Sequence, residues 1–283
     1  SIRCPAAGTG RSSGVAYRLG VPESFTETFA AGLASYGDQS CIEFEGRWYS
    51  GAEITGYADA IASVLQDAGV PDGAPVGLVV RNRPQHAAAI IGFLAAGRPV
   101  SMIYSFQSPE SIGRDIEKLD LSAIVADRED WTDDVITAAK RAGSAGVAIS
   151  LTTPLVAAVE GLEQRDGSPS HAQVEPGVAL HNLTSGTTGT PKGANRGTPP
   201  SLAPIGGILS HVPFRSGEVT SLPAPMFHAL GYLHATIAMM LGDTLVLRRR
   251  FKPPTVFADI EKHKVTAVAV SYTHLTLPTT SRV

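Results

Sequence analysis

The chain's 283 residues are 43% hydrophobic and 17% charged, the composition of a core-forming chain of about two domains' length rather than a disordered polymer. Its 23 Lys and Arg against 26 Asp and Glu leave a formal charge of −3, so there is no broad positive field to grip a nucleic-acid backbone or an anionic membrane. The two cysteines, Cys4 and Cys41, match no disulfide framework, and no His, Cys or carboxylate cluster in the sequence has the spacing of a metal site.

Residues 1–23 form an N-terminal extension without an assigned element and without the basic-then-apolar order of a signal peptide. Phe25, Phe29 and Leu33 fall on one face of a helix predicted over 24–36, with Ser24 and Glu27 at capping-box spacing. Residues 41–49 turn at Gly46 as a hairpin would, and Ser50 with Glu53 repeats the capping signal before a helix ending near Gly69. Strand and helix then alternate. Apolar runs at 76–80, 99–103, 122–126 and 146–150 read as strands, with helices from Pro84 to Ala96, from Pro109 to Lys118 and from Trp131 to Ala142 between them. Residues 152–177 lack periodicity and read as a loop or subdomain connection. Val178 to Leu183 reads as a strand, Met226 to Leu241 as containing a helix, 244–247 as a strand, 254–262 as a helix and 265–270 as an apolar run. Such alternation predicts an α/β fold with layered, largely parallel sheets flanked by helices. The longest membrane-span candidate, Ala229 to Leu241, is closed too early by Asp243, so no transmembrane segment is expected.

The strand at 178–183 leads into Leu183-Thr-Ser-Gly-Thr-Thr-Gly-Thr-Pro-Lys-Gly193. Gly186 and Gly189 permit close backbone approach to an anion, while Thr184, Ser185, Thr187, Thr188 and Thr190 offer hydroxyl donors and Lys192 adds a positive charge. This is not a Walker A loop, because the glycine spacing differs and no Ser or Thr follows the lysine. The competing reading is a flexible polar connector. His228, after Met226 and Phe227, reads either as a structural histidine or as a donor to a substrate carboxylate. Arg248 to Arg250 reads as a solvated strand end or as a contact for a phosphorylated partner. Met239 and Met240 read as core fillers, and Glu110, Asp115 and Glu117 as solvent-facing.

The loop from Thr184 to Gly193 resembles the signature of the AMP-forming acyl-CoA synthetase, adenylation and luciferase superfamily. The likeness extends through Phe44 to Arg47, Tyr49, Asn82 and Pro225 to Gly231, reaching about Val268. It implies an N-terminal portion of the acyl-adenylate-forming fold over 24–269. It further implies that Thr184, Ser185, Gly186, Thr187, Thr188, Gly189, Thr190 and Lys192 hold the ATP phosphates. Catalytic roles fall on Thr184, Lys192 and His228, and His228 with Gly231 lines the acid site. The implied reaction joins a carboxylic acid to AMP with loss of pyrophosphate, then passes the acyl group to CoA, with ATP, Mg2+ and CoA as the small molecules. An adenylation domain serving a carrier-protein thiol shares these features, and an inactive nucleotide-binding module is the non-enzymatic alternative. With no targeting feature in view, cytoplasm is the default location.

Two stretches depart from the family pattern. Gly197 to Pro204 is proline-rich where relatives carry a more regular continuation, and residues 270–283 resemble the translation of a sequencing adapter. The family's Thr-Glu segment, ribose-binding acid and C-terminal lysine have no counterpart, so the chain alone is expected to show little adenylation activity.

Overall fold

The computed structural model describes residues 25–119, 121–166, 180–184, 192–196 and 215–270, with backbone alone at 25–29, 180–184 and 192–196. Helix α1 (Phe25–Ala34) precedes the hairpin β1 (Ser40–Phe44) and β2 (Arg47–Ser50), whose turn places Glu45 and Gly46 at positive φ. Helix α2 (Gly51–Asp67) starts on a complete capping box: Ser50 Oγ accepts from Glu53 N–H, and the Glu53 carboxylate accepts from Ser50 N–H. Three strand and helix pairs follow, namely β3 (Val76–Val80) and α3 (Pro84–Ala95), β4 (Val100–Tyr104) and α4 (Pro109–Leu119), and β5 (Ala123–Asp127) and α5 (Asp133–Arg141), and then the strand β6 (Ala145–Ile149) with its short antiparallel partner β7 (Val156–Ala158). Proline at the first position of α3 fixes a helical φ where no amide bond is needed. The remaining elements are β8 (Leu180–Thr184), β9 (Lys192–Arg196), β10 (Val219–Leu222), α6 (Ala229–Met240), β11 (Thr244–Leu247), α7 (Pro253–His263) and β12 (Ala267–Val268).

The strands form two sheets, ordered β12-β10-β11-β1-β2 and β7-β6-β5-β3-β4-β8-β9. Both are parallel except at edges: β2 returns along β1, β7 along β6 and β9 along β8. Helices α2 and α3 pack together, with α1 and α6 beside them, in a core shared by both sheets. Helices α4 and α5 cover the opposite face of the seven-stranded sheet, and α7 packs on β10. Alternation along the buried strands serves both faces. Leu78, Val80, Met102 and Val125 point to the shared layer, whereas Val79, Ile103 and Ile124 meet Ile112, Ile116 and Val135 of the outer helices. This confirms the layered α/β expectation. Among the described residues, no helix is long and apolar enough to cross a membrane.

Three sequence expectations need adjustment or closer statement. The stretch 152–177 contains β7, a strand of three residues too short to show a period. Lys192 begins a strand, β9, which was not anticipated. Arg248 is not solvated: its guanidinium reaches Glu43 of β1 and Asp259 of α7, with Nε to Asp259 Oδ2 at 2.8 Å, and all three are buried. Arg249 and Arg250 are exposed as expected, Glu110 and Glu117 are exposed, and Asp115 is half-buried, while Met239 is buried in the core. Cys41 is buried and free, and burial pushes its thiol up to about 12, so it is a core residue without thiolate reactivity. Cys4, Ser24, Gly197 to Pro204 and residues 271–283 lie outside the described residues.

The carboxyl end of the seven-stranded sheet is fixed by charges. His86, fully buried in α3, accepts the Arg81 N–H at Nδ1 (3.2 Å), which leaves Nε2 to donate to Asp127 Oδ1 at 3.0 Å. Arg83 and Arg81 also reach Asp127, and Arg81 pairs with Asp130 as well. Burial alone would raise the Asp127 pKa, but His86, Arg83 and Arg81 outweigh it and hold the carboxyl below its ordinary value. A carboxylate depressed in the folded state contributes stability that is complete above its unfolded pKa of about 3.9 and is lost as pH falls through the folded value.

Replacing Arg248 with Met leaves Glu43 and Asp259 without their shared counter-charge, and urea unfolding at pH 7 is expected to show a loss of about 3–5 kcal/mol. Asp127→Asn is expected to cost about 3 kcal/mol at pH 7. Followed by thermal unfolding, that variant is also expected to flatten the decline in stability below about pH 4, whereas an unchanged acid limb would contradict the assigned pKa depression.

Candidate active site at the strand ends

Parallel strands feed their connections to opposite sides of the sheet here. The chain leaving β3 turns into α3 on the shared layer, while the chain leaving β4 turns into α4 on the outer face. The carboxyl ends of β3 and β4 therefore flank a topological switch point, where loops diverge and leave a crevice suited to ligands.

From the five-stranded sheet, the segment after β10 reaches this crevice. The Asn82 side chain, just past β3, binds it at two points: Nδ2 donates to Ala224 O at 3.1 Å, and Oδ1 accepts from Met226 N–H at 2.8 Å. Beyond Met226 the rings of Phe227 and His228 lie 4.1 Å apart, and Phe227 also meets Tyr104 at 4.6 Å. Tyr104 ends β4 and contacts Phe106 at 5.7 Å, both rings being partly exposed. His228 is the N-cap residue of α6, with extended backbone, and its carbonyl accepts Tyr232 N–H at 2.9 Å. A side chain at Gly231 would collide with the Pro225 carbonyl oxygen, so its immediate requirement is the close approach of α6 to this segment.

The glycine-rich stretch stands beside β4. β8 pairs with β4 in parallel, Val100 with Leu180 through Met102 with Asn182, and Thr184 and Tyr104 each lie two residues past the last of these pairs. β9 returns antiparallel to β8, with Thr184 opposite Lys192 as the last pair. Two of the anticipated phosphate-binding residues thus share the mouth of one hairpin. Ser185, Gly186, Thr187, Thr188, Gly189 and Thr190, between them, lie outside the described residues.

A cavity of about 210 Å³ opens nearby, lined by Arg81, Asn82, Arg83, Phe106, Glu129, Arg249 and Arg250. Its arginines are only partly available as positive charge, because Arg81 and Arg83 are already engaged by Asp127, Asp130 and Glu129. A larger space of about 590 Å³ lies between α1, α2 and α3, bordered by Ala58, Ala62, Gly92 and Arg98, and includes none of the anticipated site residues. The chemistry is read at the strand ends, where polar groups from both sheets converge, rather than in this larger groove.

Sequence reasoning noticed Asn82 as part of a family likeness and, with Arg83, as a candidate to open the helix at Pro84; Arg83 holds that N-cap position, and the reach of Asn82 to residues 224–226 was not foreseen. It missed His86, Asp127 and Asp130 altogether. Their signal is tertiary: Asp127 follows His86 by 41 residues, and only the adjacency of β3 and β5 joins them.

The model for the AMP-binding enzyme family matches residues 29–278. A medium/long-chain-fatty-acid CoA ligase of Mycobacterium tuberculosis is 23% identical over 262 residues, covering 91% of this chain and 43% of the relative. The 4-coumarate-CoA ligase 3 of rice is 25% identical over 251 residues, covering 83% of this chain and 44% of that protein. The chain thus spans less than half the length of these curated relatives. Among solved structures, o-succinylbenzoate CoA synthetase of Bacillus subtilis, in complex with its acyl-adenylate intermediate, superposes with a TM-score of 0.69 at 17% identity, over 90% of this chain and 64% of that one. ATP-bound MatB of Rhodopseudomonas palustris gives 0.66 at 17% identity, over 86% and 48%. These structural likenesses establish the adenylate-forming fold, and with the family match over most of its length the chain belongs to the AMP-binding enzymes.

Proposed function

We propose that this chain supplies the ATP-binding and acid-binding walls of an AMP-forming acid:CoA ligase acting on an apolar carboxylic acid. The supporting observation is the adjacency of the Thr184 and Lys192 hairpin mouth to the end of β4, where Tyr104, Phe227 and His228 gather. Phosphate donors and an apolar, imidazole-bearing wall would then border one crevice.

In the proposed reaction a carboxylate oxygen of the acid attacks the α-phosphorus of ATP. The new O–P bond forms as the bond from the α-phosphorus to the bridging oxygen breaks, and pyrophosphate leaves. Thr184, Lys192 and the hydroxyls and amides of residues 185–190 would hold the phosphate oxygens and stabilise charge on the departing group. His228 would orient the carboxylate. No base is required, because the acid is already ionised near neutral pH. CoA thiolate then attacks the acyl carbonyl and AMP departs. Mg2+ would accompany the nucleotide phosphates, and no residue of this chain is assigned as its ligand.

ATP titrated into the purified chain is expected to bind, and Lys192→Ala to weaken that binding about tenfold through loss of one charge-assisted contact. Calorimetry showing equal affinities would remove Lys192 from the phosphate site. The same chain, offered ATP with medium-chain, long-chain and aryl acids, is expected to release little pyrophosphate. Robust acid-dependent release would place the complete adenylation machinery within these residues.

A further inference from the structure

The buried Asn82 amide connects the two sheets at the candidate site. Asn82 lies just beyond β3, yet both of its polar side-chain atoms are used by the segment between β10 and α6. The orientation is determined by its partners, since Ala224 offers a carbonyl and Met226 an N–H. Asn82 cannot shift freely, because its neighbours on both sides are held: Arg81 by Asp130, Arg83 by Asp127, and the Arg81 N–H by His86.

The grasped segment is fixed on its other side too. Gly231 lets α6 close onto the Pro225 carbonyl, and His228 N–H donates back to that same oxygen at 3.1 Å. Ala224 is tied further by its N–H to Ala269 O at 3.2 Å. Between these anchors, residues 225–228 have little choice of path, and the ring of Phe227 is carried to Tyr104 at the end of β4 with His228 stacked against Phe227. Its two side-chain hydrogen bonds go to the backbone on either side of Pro225, so the effect of Asn82 on an acid passes through the path of that segment.

We propose that Asn82 is a positioning residue for the acid side of the site, setting the reach of Phe227 and His228 across the gap between the sheets. The proposal rests on the acid:CoA ligase reading. Its distinguishing consequence is an asymmetry: loosening the segment degrades recognition of the acyl group while leaving the nucleotide-binding hairpin in place, since β8 pairs with β4 and β9 with β8.

The test uses the full chain in three variants. Asn82→Ala removes both bonds. Asn82→Asp keeps the shape and the acceptor for Met226 N–H but sets a carboxylate oxygen against Ala224 O. Ser144→Ala deletes a different buried hydrogen bond, the 2.6 Å bond from Ser144 Oγ to Leu121 O at the other end of the sheet, and reports the effect of a general loss of stability. Hydrogen exchange of peptides spanning 223–232 is expected to accelerate about tenfold in Asn82→Ala, to a smaller extent in Asn82→Asp and not in Ser144→Ala. Binding of a non-hydrolysable dodecanoyl-sulfamoyl adenosine is expected to weaken about tenfold in Asn82→Ala, with ATP affinity changed by less than about twofold. Unaltered exchange in 223–232 for both Asn82 variants would overturn the clamp. Accelerated exchange with equal losses for both ligands, or with none, would overturn its role on the acid side. If the parent chain binds neither ligand, the ligase reading fails, and the exchange data alone decide whether Asn82 holds the segment.

Discussion

Two hydrogen bonds from the Asn82 amide hold the ends of two separate sheets at a fixed distance. The constraint matters because parallel sheets expose their loop-bearing ends to solvent, and each sheet brings a different part of the candidate site. The seven-stranded sheet carries the hairpin mouth at Thr184 and Lys192, while the five-stranded sheet sends Phe227 and His228. Helices α2 and α3 fill the space between with apolar side chains, which gives cohesion but little angular precision. A doubly satisfied buried amide supplies direction, because rotating it away leaves donor and acceptor unpaired.

Charge clusters reinforce each sheet near its loop-bearing end. On one sheet, Asp127 collects His86, Arg83 and Arg81; on the other, Arg248 sits between Glu43 and Asp259. Neither set is a source of large net stability by itself, since burying charge carries a desolvation cost that pairing mainly offsets. Their effect is specificity of position. The paired residues come from segments far apart in the chain, Arg81 and Arg83 from the turn between β3 and α3 and Arg248 from just past β11, and displacement of one leaves a buried charge unmatched. Arg249 and Arg250 enter the cavity beside Arg81 because Arg248, immediately before them, is anchored inward.

The layered fold was legible because its signals are local and repeated. Ser50 with Glu53 announced α2, Pro84 and Pro109 opened helices, and the runs at 76–80 and 122–126 were apolar throughout, as strands covered on both faces must be. Strand β7 was not legible, because three residues carry no period, and β9 was hidden behind the attention given to Lys192 as a charge. Part of the candidate site was legible as a motif. Thr184 and Lys192 stood in a motif, and the structure pairs them across a hairpin mouth. Arg248 was misread because three adjacent arginines look solvated until Glu43 and Asp259, 205 and 11 residues away, are brought to the first of them. The work of Asn82 was likewise invisible, since its partners are backbone atoms more than 140 residues along the chain.

In the proposed arrangement one crevice at the strand ends receives the nucleotide phosphates at the hairpin and the acyl group at the Phe227 and His228 wall. A crystal structure of the chain with a non-hydrolysable acyl-adenylate analogue tests it most directly. The account predicts the phosphate mimic at the Thr184 and Lys192 mouth and the acyl chain against Phe227, with His228 within hydrogen-bonding reach of the acyl carbonyl. An analogue seated instead in the groove between α1, α2 and α3, or bound at the hairpin with its acyl group directed away from His228, would contradict it.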